Sequence, residues 1–136
     1  MSTTSPSGSA SHPEDTSENV AVLAAQSASG KGATDLLVLA VGPILAICEH
    51  FVIGTASNTR LVMAAAQEVE DKLAEVFGRR PIAVEGREDR RWVLLDYGDV
   101  VVHMFLDEDR DFYRLERLYG DAVRVPWQLE AAAVAE

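Results

Sequence analysis

Two runs of strand-forming residues, Trp92-Val93-Leu94-Leu95-Asp96 and Asp99-Val100-Val101-Val102-His103-Met104-Phe105, are separated by Tyr97-Gly98 alone. A two-residue link containing glycine leaves the chain no room for a crossover, so the runs must pair as an antiparallel hairpin. That commits this stretch to a sheet and makes at least one strand pair antiparallel. The chain has 136 residues and 48% hydrophobic residues, enough for one packed domain with its own core.

The other elements can be placed around the hairpin. Leu61, Ala65, Val69, Leu73 and Phe77 recur every fourth residue, with Val62, Ala66 and Val76 widening the stripe, which predicts a long helix over 58–77. Ser57 or Asn58 can cap its start, and Gly78 stands where a left-handed C-cap is expected. A weaker helix over 18–29 follows Ser17 as its cap and stops at Gly30; Val20, Leu23, Ala24 and Ala28 give it a thin apolar stripe. Asp35-Leu36-Leu37-Val38-Leu39-Ala40-Val41 is an apolar run of strand length, ended by Gly42-Pro43. Phe51-Val52-Ile53 is a second, and Pro81-Ile82-Ala83-Val84 reads as a short edge strand. Asp107-Glu108-Asp109 places acid at the start of a last helix with Phe112, Leu115 and Tyr119 on its stripe. The order predicts an α/β, or α+β, fold: a mixed sheet of about five strands with helices on both faces. The strands flanking the long helix are expected to be parallel neighbours. Residues 1–17, rich in Ser, Thr, Gly and Pro, are expected to be a disordered tail, 18–121 the folded domain, and 122–136 a C-terminal tail.

Charge and cysteine content restrict the function. Twelve Lys and Arg stand against 22 Asp and Glu, a net charge of -10, and Arg79-Arg80 and Arg90-Arg91 are local pairs rather than a basic platform. Little direct nucleic-acid contact is expected, and a basic protein is the better partner. One cysteine, Cys48, excludes an internal disulfide, a zinc ribbon and an iron–sulfur cluster. No apolar run approaches the roughly 20 residues that span a bilayer, so no membrane role is expected. The first 19 residues have neither Lys nor Arg nor an apolar stretch. They match neither a signal nor a transit peptide, and a cytoplasmic location is expected.

Candidate chemistry is sparse. Cys48 and His50 are two residues apart before a strand, the spacing of a thiolate–imidazole pair, yet Cys48 lies among apolar residues and is better read as a small buried hydrophobe. His103, mid-strand, is expected to be a hydrogen-bonded structural residue. Three scattered histidines give no metal-ligand spacing. Nucleotidyl transfer needs two acids on one strand beside a phosphate-holding turn. Gly54-Thr55 could form the turn, but the strand ending at Glu85 carries one acid, and Asp96 and Asp99 flank a hairpin turn where acids are common. The chain is expected to be no enzyme and to need no cofactor. What remains is aromatic surface: Trp92 at the mouth of the hairpin, Tyr97 at its tip, expected to be exposed, and Tyr113 about 100° round the helix from Phe112.

The segment Arg91 to Phe105, continued by Arg110-Asp111-Phe112-Tyr113-Arg114-Leu115-Glu116-Arg117-Leu118-Tyr119-Gly120-Asp121, resembles the signature of the ribosomal silencing factor family, also called Iojap-like or RsfS. Asp35-Leu36-Leu37-Val38-Leu39, Phe51-Val52-Ile53, Ser57-Asn58-Thr59-Arg60 and Val84-Glu85-Gly86 extend the likeness over roughly residues 20–126. Cys48-Glu49-His50, Gly54-Thr55-Ala56 and Tyr119 depart from the family's pattern. The resemblance implies a nucleotidyltransferase-like fold without catalytic acids. It implies binding to the fourteenth protein of the large ribosomal subunit, steric blockage of small-subunit joining, and repression of translation under nutrient limitation. The family's contact positions fall here on Trp92, Tyr97 and Tyr113. Two alternatives remain open, a degenerate nucleotide-binding protein and a ribosome-assembly or scaffold protein, and a homodimer is compatible with each.

Overall fold

The computed structural model describes residues 14–46, 48–109 and 120–128. Helix α1 spans Ser17–Gly30 and helix α2 Thr59–Phe77; the strands are β1 (Thr34–Ala40), β2 (His50–Ala56), β3 (Ala83–Glu85), β4 (Trp92–Asp96), β5 (Val100–Leu106) and β6 (Val123–Arg124). They form one sheet in the order β3-β4-β5-β2-β1-β6. β2 and β5 run parallel, and every other neighbouring pair is antiparallel.

Helix ends follow side-chain chemistry. The Asn58 side chain accepts from the Leu61 N–H, and Gly78, at φ 66°, closes the far end of α2 in the left-handed conformation, as expected. At α1 the cap is Thr16 rather than Ser17, its hydroxyl accepting from the Asn19 N–H, and the helix runs on through Gly30 to a cap at Lys31. The carbonyls freed by α1 are taken by the Lys31, Gly32 and Ala33 N–H groups, so Gly30 ends nothing by itself.

The pleat sorts the sheet into two faces. Leu36, Val38, Val52, Val93, Leu95, Val100, Val102 and Met104 meet Val20, Ala21, Ala24, Ala25 and Ala28 of α1 and Val62, Ala65, Ala66, Val69 and Leu73 of α2. Alanine dominates the buried side of α1, and its small side chains let the helix lie close against α2 and the sheet. The opposite face carries Leu39, Val41, Phe51, Ile53 and Phe105, with Leu45, Trp92 and Val101 at its margin. Both described helices therefore cover one face. Residues 107–109, the expected start of the last helix, are helical, and its expected stripe at Phe112, Leu115 and Tyr119 lies outside the described residues.

Three expectations need correction. β2 and β3, which flank α2, are not neighbours: β5 and β4 lie between them, and the parallel partner of β2 is β5. β3 has only three residues and pairs antiparallel with β4, so it stays at the edge. Residues 122–128, expected as part of a tail, supply a sixth strand. The Val125 N–H donates to the Val38 carbonyl (2.8 Å), and the Trp127 indole to the Leu36 carbonyl (3.2 Å), which closes the edge of β1. Finally, the hairpin register places Asp96 opposite Val101 and Trp92 opposite Phe105. The Tyr97 N–H donates to the Val100 carbonyl (2.8 Å), so the two-residue turn is Gly98-Asp99, with Gly98 at φ +93° in the first position.

Candidate functional site

The two ends of the β4–β5 hairpin hold the aromatic candidates. At its mouth, Arg91 donates from Nε and Nη2 to the two carboxylate oxygens of Asp109, both at 2.9 Å. The Leu106 N–H donates to the Arg91 carbonyl (2.7 Å). This fork fixes the first residues after β5 against the first residues of β4. Gly86 (φ +88°) lies so close to the Trp92 carbonyl that a Cβ there would collide with backbone. The charged loop 86–91 can thus pass tightly beneath Trp92 only with glycine at this position.

Trp92 is partly buried on the sheet face opposite the two described helices. Its ring lies 4.8 Å from Phe105, tilted by 32°, and 6.0 Å from His103. Its indole N–H donates to His103 Nδ1 at 3.2 Å. His103 is 5% exposed, with Phe51 edge-on at 4.8 Å, and its Nε2 has no hydrogen-bond partner. Burial lowers the His103 pKa to about 4, so the imidazole is neutral at physiological pH and its Nδ1 is free to accept. Two open concavities flank the strand. One of about 370 Å³ is lined by Glu85, Asp89, Arg91, Trp92 and Asp109. The other, about 500 Å³, has Leu45, Phe51, Leu94 and Val101 with Glu85 and Asp96.

Tyr97, at the other end, is not the exposed tip residue expected. It is 3% exposed and packs on the helix face with Val93 and Leu95, because residues two apart on a strand share a face. Its hydroxyl is buried without a partner, and burial pushes the phenol pKa up. Arg79 holds this end. Its Nη2 donates to Asp99 Oδ1 (2.6 Å) and to the Tyr97 carbonyl (3.0 Å), its Nη1 to Asp15 (3.1 Å), and its guanidinium lies 6.0 Å from the Tyr97 ring centre. Burial raises the Asp99 carboxyl, but the guanidinium's hydrogen bond and charge outweigh it and leave the pKa below the ordinary carboxylate value. Of the three aromatic candidates, Trp92 is at the surface, Tyr97 is in the core, and Tyr113 lies outside the described residues.

The catalytic candidates are dispersed. Cys48 donates its thiol to the carbonyls of His50 (3.2 Å) and Asp99 (3.5 Å), and burial raises its pKa, so it is held as a thiol. The His50 ring pairs with the Ser17 hydroxyl at 3.0 Å instead. Gly54-Thr55 forms no phosphate turn: both residues lie inside β2, a Cβ at Gly54 would meet Leu36, and the Thr55 hydroxyl bonds to Thr34. Asp96 accepts from the Gly98 N–H (2.8 Å), while Asp99 is committed to Arg79. Among the described residues no three His, Cys, Asp or Glu converge as metal ligands, and no helix is long and apolar enough to cross a membrane. His103 is hydrogen-bonded, as its mid-strand position predicts, and its partner is the candidate tryptophan. The signal was available, since any tight-turn register sets His103 opposite or diagonal to Trp92 on one face.

Comparison with known proteins agrees with this fold. A family model described as ribosomal silencing factor during starvation, RsfS, matches residues 13–136. A ribosomal silencing factor RsfS of Bacillus subtilis is 37% identical over 105 residues, 77% of this chain and 88% of the relative. One from Halalkalibacterium halodurans is 39% identical over 103 residues, 76% of this chain and 87% of the relative. A crystal structure of a Chromobacterium violaceum protein superposes with a TM-score of 0.74 at 31% identity, covering 86% of this chain and 96% of that one. With a matching family model across nearly all of its length and relatives of this similarity, the chain belongs to the ribosomal silencing factor family.

Proposed function

We propose that this chain binds the large ribosomal subunit through its fourteenth protein and sterically blocks joining of the small subunit, repressing translation when nutrients are limiting. The docking surface is centred on Trp92 at the mouth of the hairpin, with Tyr113 as its second aromatic; Tyr97 supports the hairpin from within. The observation that carries this reading is the Trp92 indole. It is a large aromatic at the protein surface, seated between Phe105 and His103 and tied by its N–H, so little side-chain freedom is lost on docking. The net charge of -10 supports a basic protein partner, since complementary potentials speed encounter and fix orientation. No catalytic step is part of the mechanism, because exclusion of the small subunit requires only occupancy of its joining surface.

Sedimentation tests this. The protein is mixed with purified large subunits, and small subunits are then added. Co-sedimentation with a reduced yield of joined ribosomes is expected. Failure to co-sediment at physiological salt overturns the reading. Co-sedimentation with undiminished joining leaves the large-subunit contact but refutes silencing, and favours a role in assembly.

A further inference from the structure

The side chains packed on His103 are apolar or aromatic. Its strand neighbours on the same face are Val101 and Phe105, Phe51 meets its ring edge-on, and the Phe105 ring is nearly parallel to it at 6.3 Å. An imidazole here buries an Nε2 with no partner. A leucine would bury no such group, so the imidazole is a costly choice for packing alone. What it does make is one directed bond, from the Trp92 indole N–H to Nδ1. The bond fixes the tautomer as well: Nδ1 must be unprotonated to accept, and the ring proton sits on Nε2.

We propose that His103 is the positioning residue of the docking surface, holding the Trp92 indole in the rotamer that meets the partner. The inference rests on the docking reading above. Phe51, edge-on, and Phe105, nearly parallel, flank the buried imidazole, and the imidazole sets the angle of the indole through its N–H. An indole free to rotate would have to be ordered on binding, and that entropy would be lost from affinity. His103 touches no partner in this scheme; it acts only through Trp92.

The test separates the bond from the docking. The chain has two tryptophans, so ¹⁵N-labelled protein gives two indole N–H signals, and Trp127→Phe assigns them. His103→Leu removes the acceptor; His103→Asn puts an amide oxygen near the place of Nδ1. With His103→Leu, the Trp92 indole signal is expected to move upfield and exchange faster with water, and large-subunit affinity to fall roughly tenfold, the equivalent of one net hydrogen bond. His103→Asn is expected to restore both, which a role in stability alone would not produce. If the leucine variant fails to fold, His103→Gln replaces it, since its longer amide carries oxygen toward the Nε2 position. An unchanged Trp92 signal in the acceptor-less variant overturns the proposal, as does a changed signal with unchanged affinity. If the wild-type protein does not bind large subunits, the docking reading fails and the positioning role with it, while the indole signal still reports whether His103 holds Trp92.

Discussion

The two ends of one hairpin place two aromatic residues in opposite surroundings. Trp92 opens β4 and Tyr97 follows its last residue, five positions apart, so the pleat sends them to opposite faces of the sheet. Tyr97 faces the helices and disappears into the core they share with the sheet. Trp92 faces away from the described helices and keeps part of its ring at the surface. Their polar atoms differ in the same sense. The indole N–H has a directed partner in His103, whereas the Tyr97 hydroxyl has none, and the turn end is secured by Arg79 acting on backbone and carboxylate instead. One end is a structural anchor; the other carries the surface aromatic of the proposed docking site. A residue's place at the end of a hairpin does not decide its surroundings; the parity of its register decides which face of the sheet it meets.

The sharpest way to break this contrast is to truncate each aromatic and measure both stability and binding. Tyr97→Ala removes a fully buried aromatic and is expected to cost about 3–5 kcal/mol in urea unfolding. Large-subunit binding should survive wherever the variant stays folded. A Tyr97→Ala protein of normal stability that no longer binds would place Tyr97 at the interface and reverse the assignment.

The next effect is on pH. His103 titrates near 6.5 in the unfolded chain and at about 4 in the fold, lowered by burial. The unfolded state therefore takes up a proton that the native state refuses. This contribution to stability is intact above about pH 6.5 and is lost as pH falls toward 4, for a total of about 3 kcal/mol. Comparing urea midpoints across that range in wild type and His103→Leu isolates it from the carboxylates, which titrate in both. Equal pH slopes would refute a buried neutral histidine.

Trp92→Ala is expected to change stability little beyond its partly buried area but to weaken large-subunit binding by about 2 kcal/mol or more, roughly thirtyfold. Wild-type affinity would remove Trp92 from the docking surface, however well its geometry suits the task.

Much of this was legible in the chain. The fourfold stripe of Leu61 to Phe77, with a capping side chain before it and Gly78 after it, specified α2 closely, because periodicity and caps are local signals. The hairpin was legible for the same reason. Its register was not: Tyr97-Gly98 and Gly98-Asp99 are both acceptable two-residue turns, and the choice was made by packing. Tyr97 gains a buried site when it pairs with Val100, and Gly98 is then the residue that takes the positive φ. That single-residue difference turned an expected surface tyrosine into a core residue. β6 was missed because two residues carry no period; the sign was Val125 and Trp127 spaced to dock along β1. Sheet order was beyond reach for a different reason: nothing in β2 or β5 alone says that they will lie side by side. The aromatic identity of the candidate site was readable from composition and resemblance, whereas its geometry depended on the tertiary pairing of β4 with β5.

The smallest expected effect tests the contrast most finely. Tyr97→Phe deletes only the hydroxyl, which is buried and makes no hydrogen bond, and leaves the ring against Val93, Leu95 and the guanidinium of Arg79. A partnerless buried hydroxyl contributes desolvation cost and no compensating bond, so its removal should leave stability unchanged or raise it by up to about 1 kcal/mol. Arg79 donates to the Tyr97 carbonyl rather than to its phenol, and that bond is retained. Large-subunit affinity should match the wild type. A loss of affinity without a loss of stability would mean that the hydroxyl reaches the partner, which requires the turn end to open and Tyr97 to swing out on binding. Arg79→Ala, which releases that end, would then strengthen rather than weaken the interaction. Equal affinity in both variants keeps Tyr97 in the core and leaves the hairpin mouth as the proposed contact.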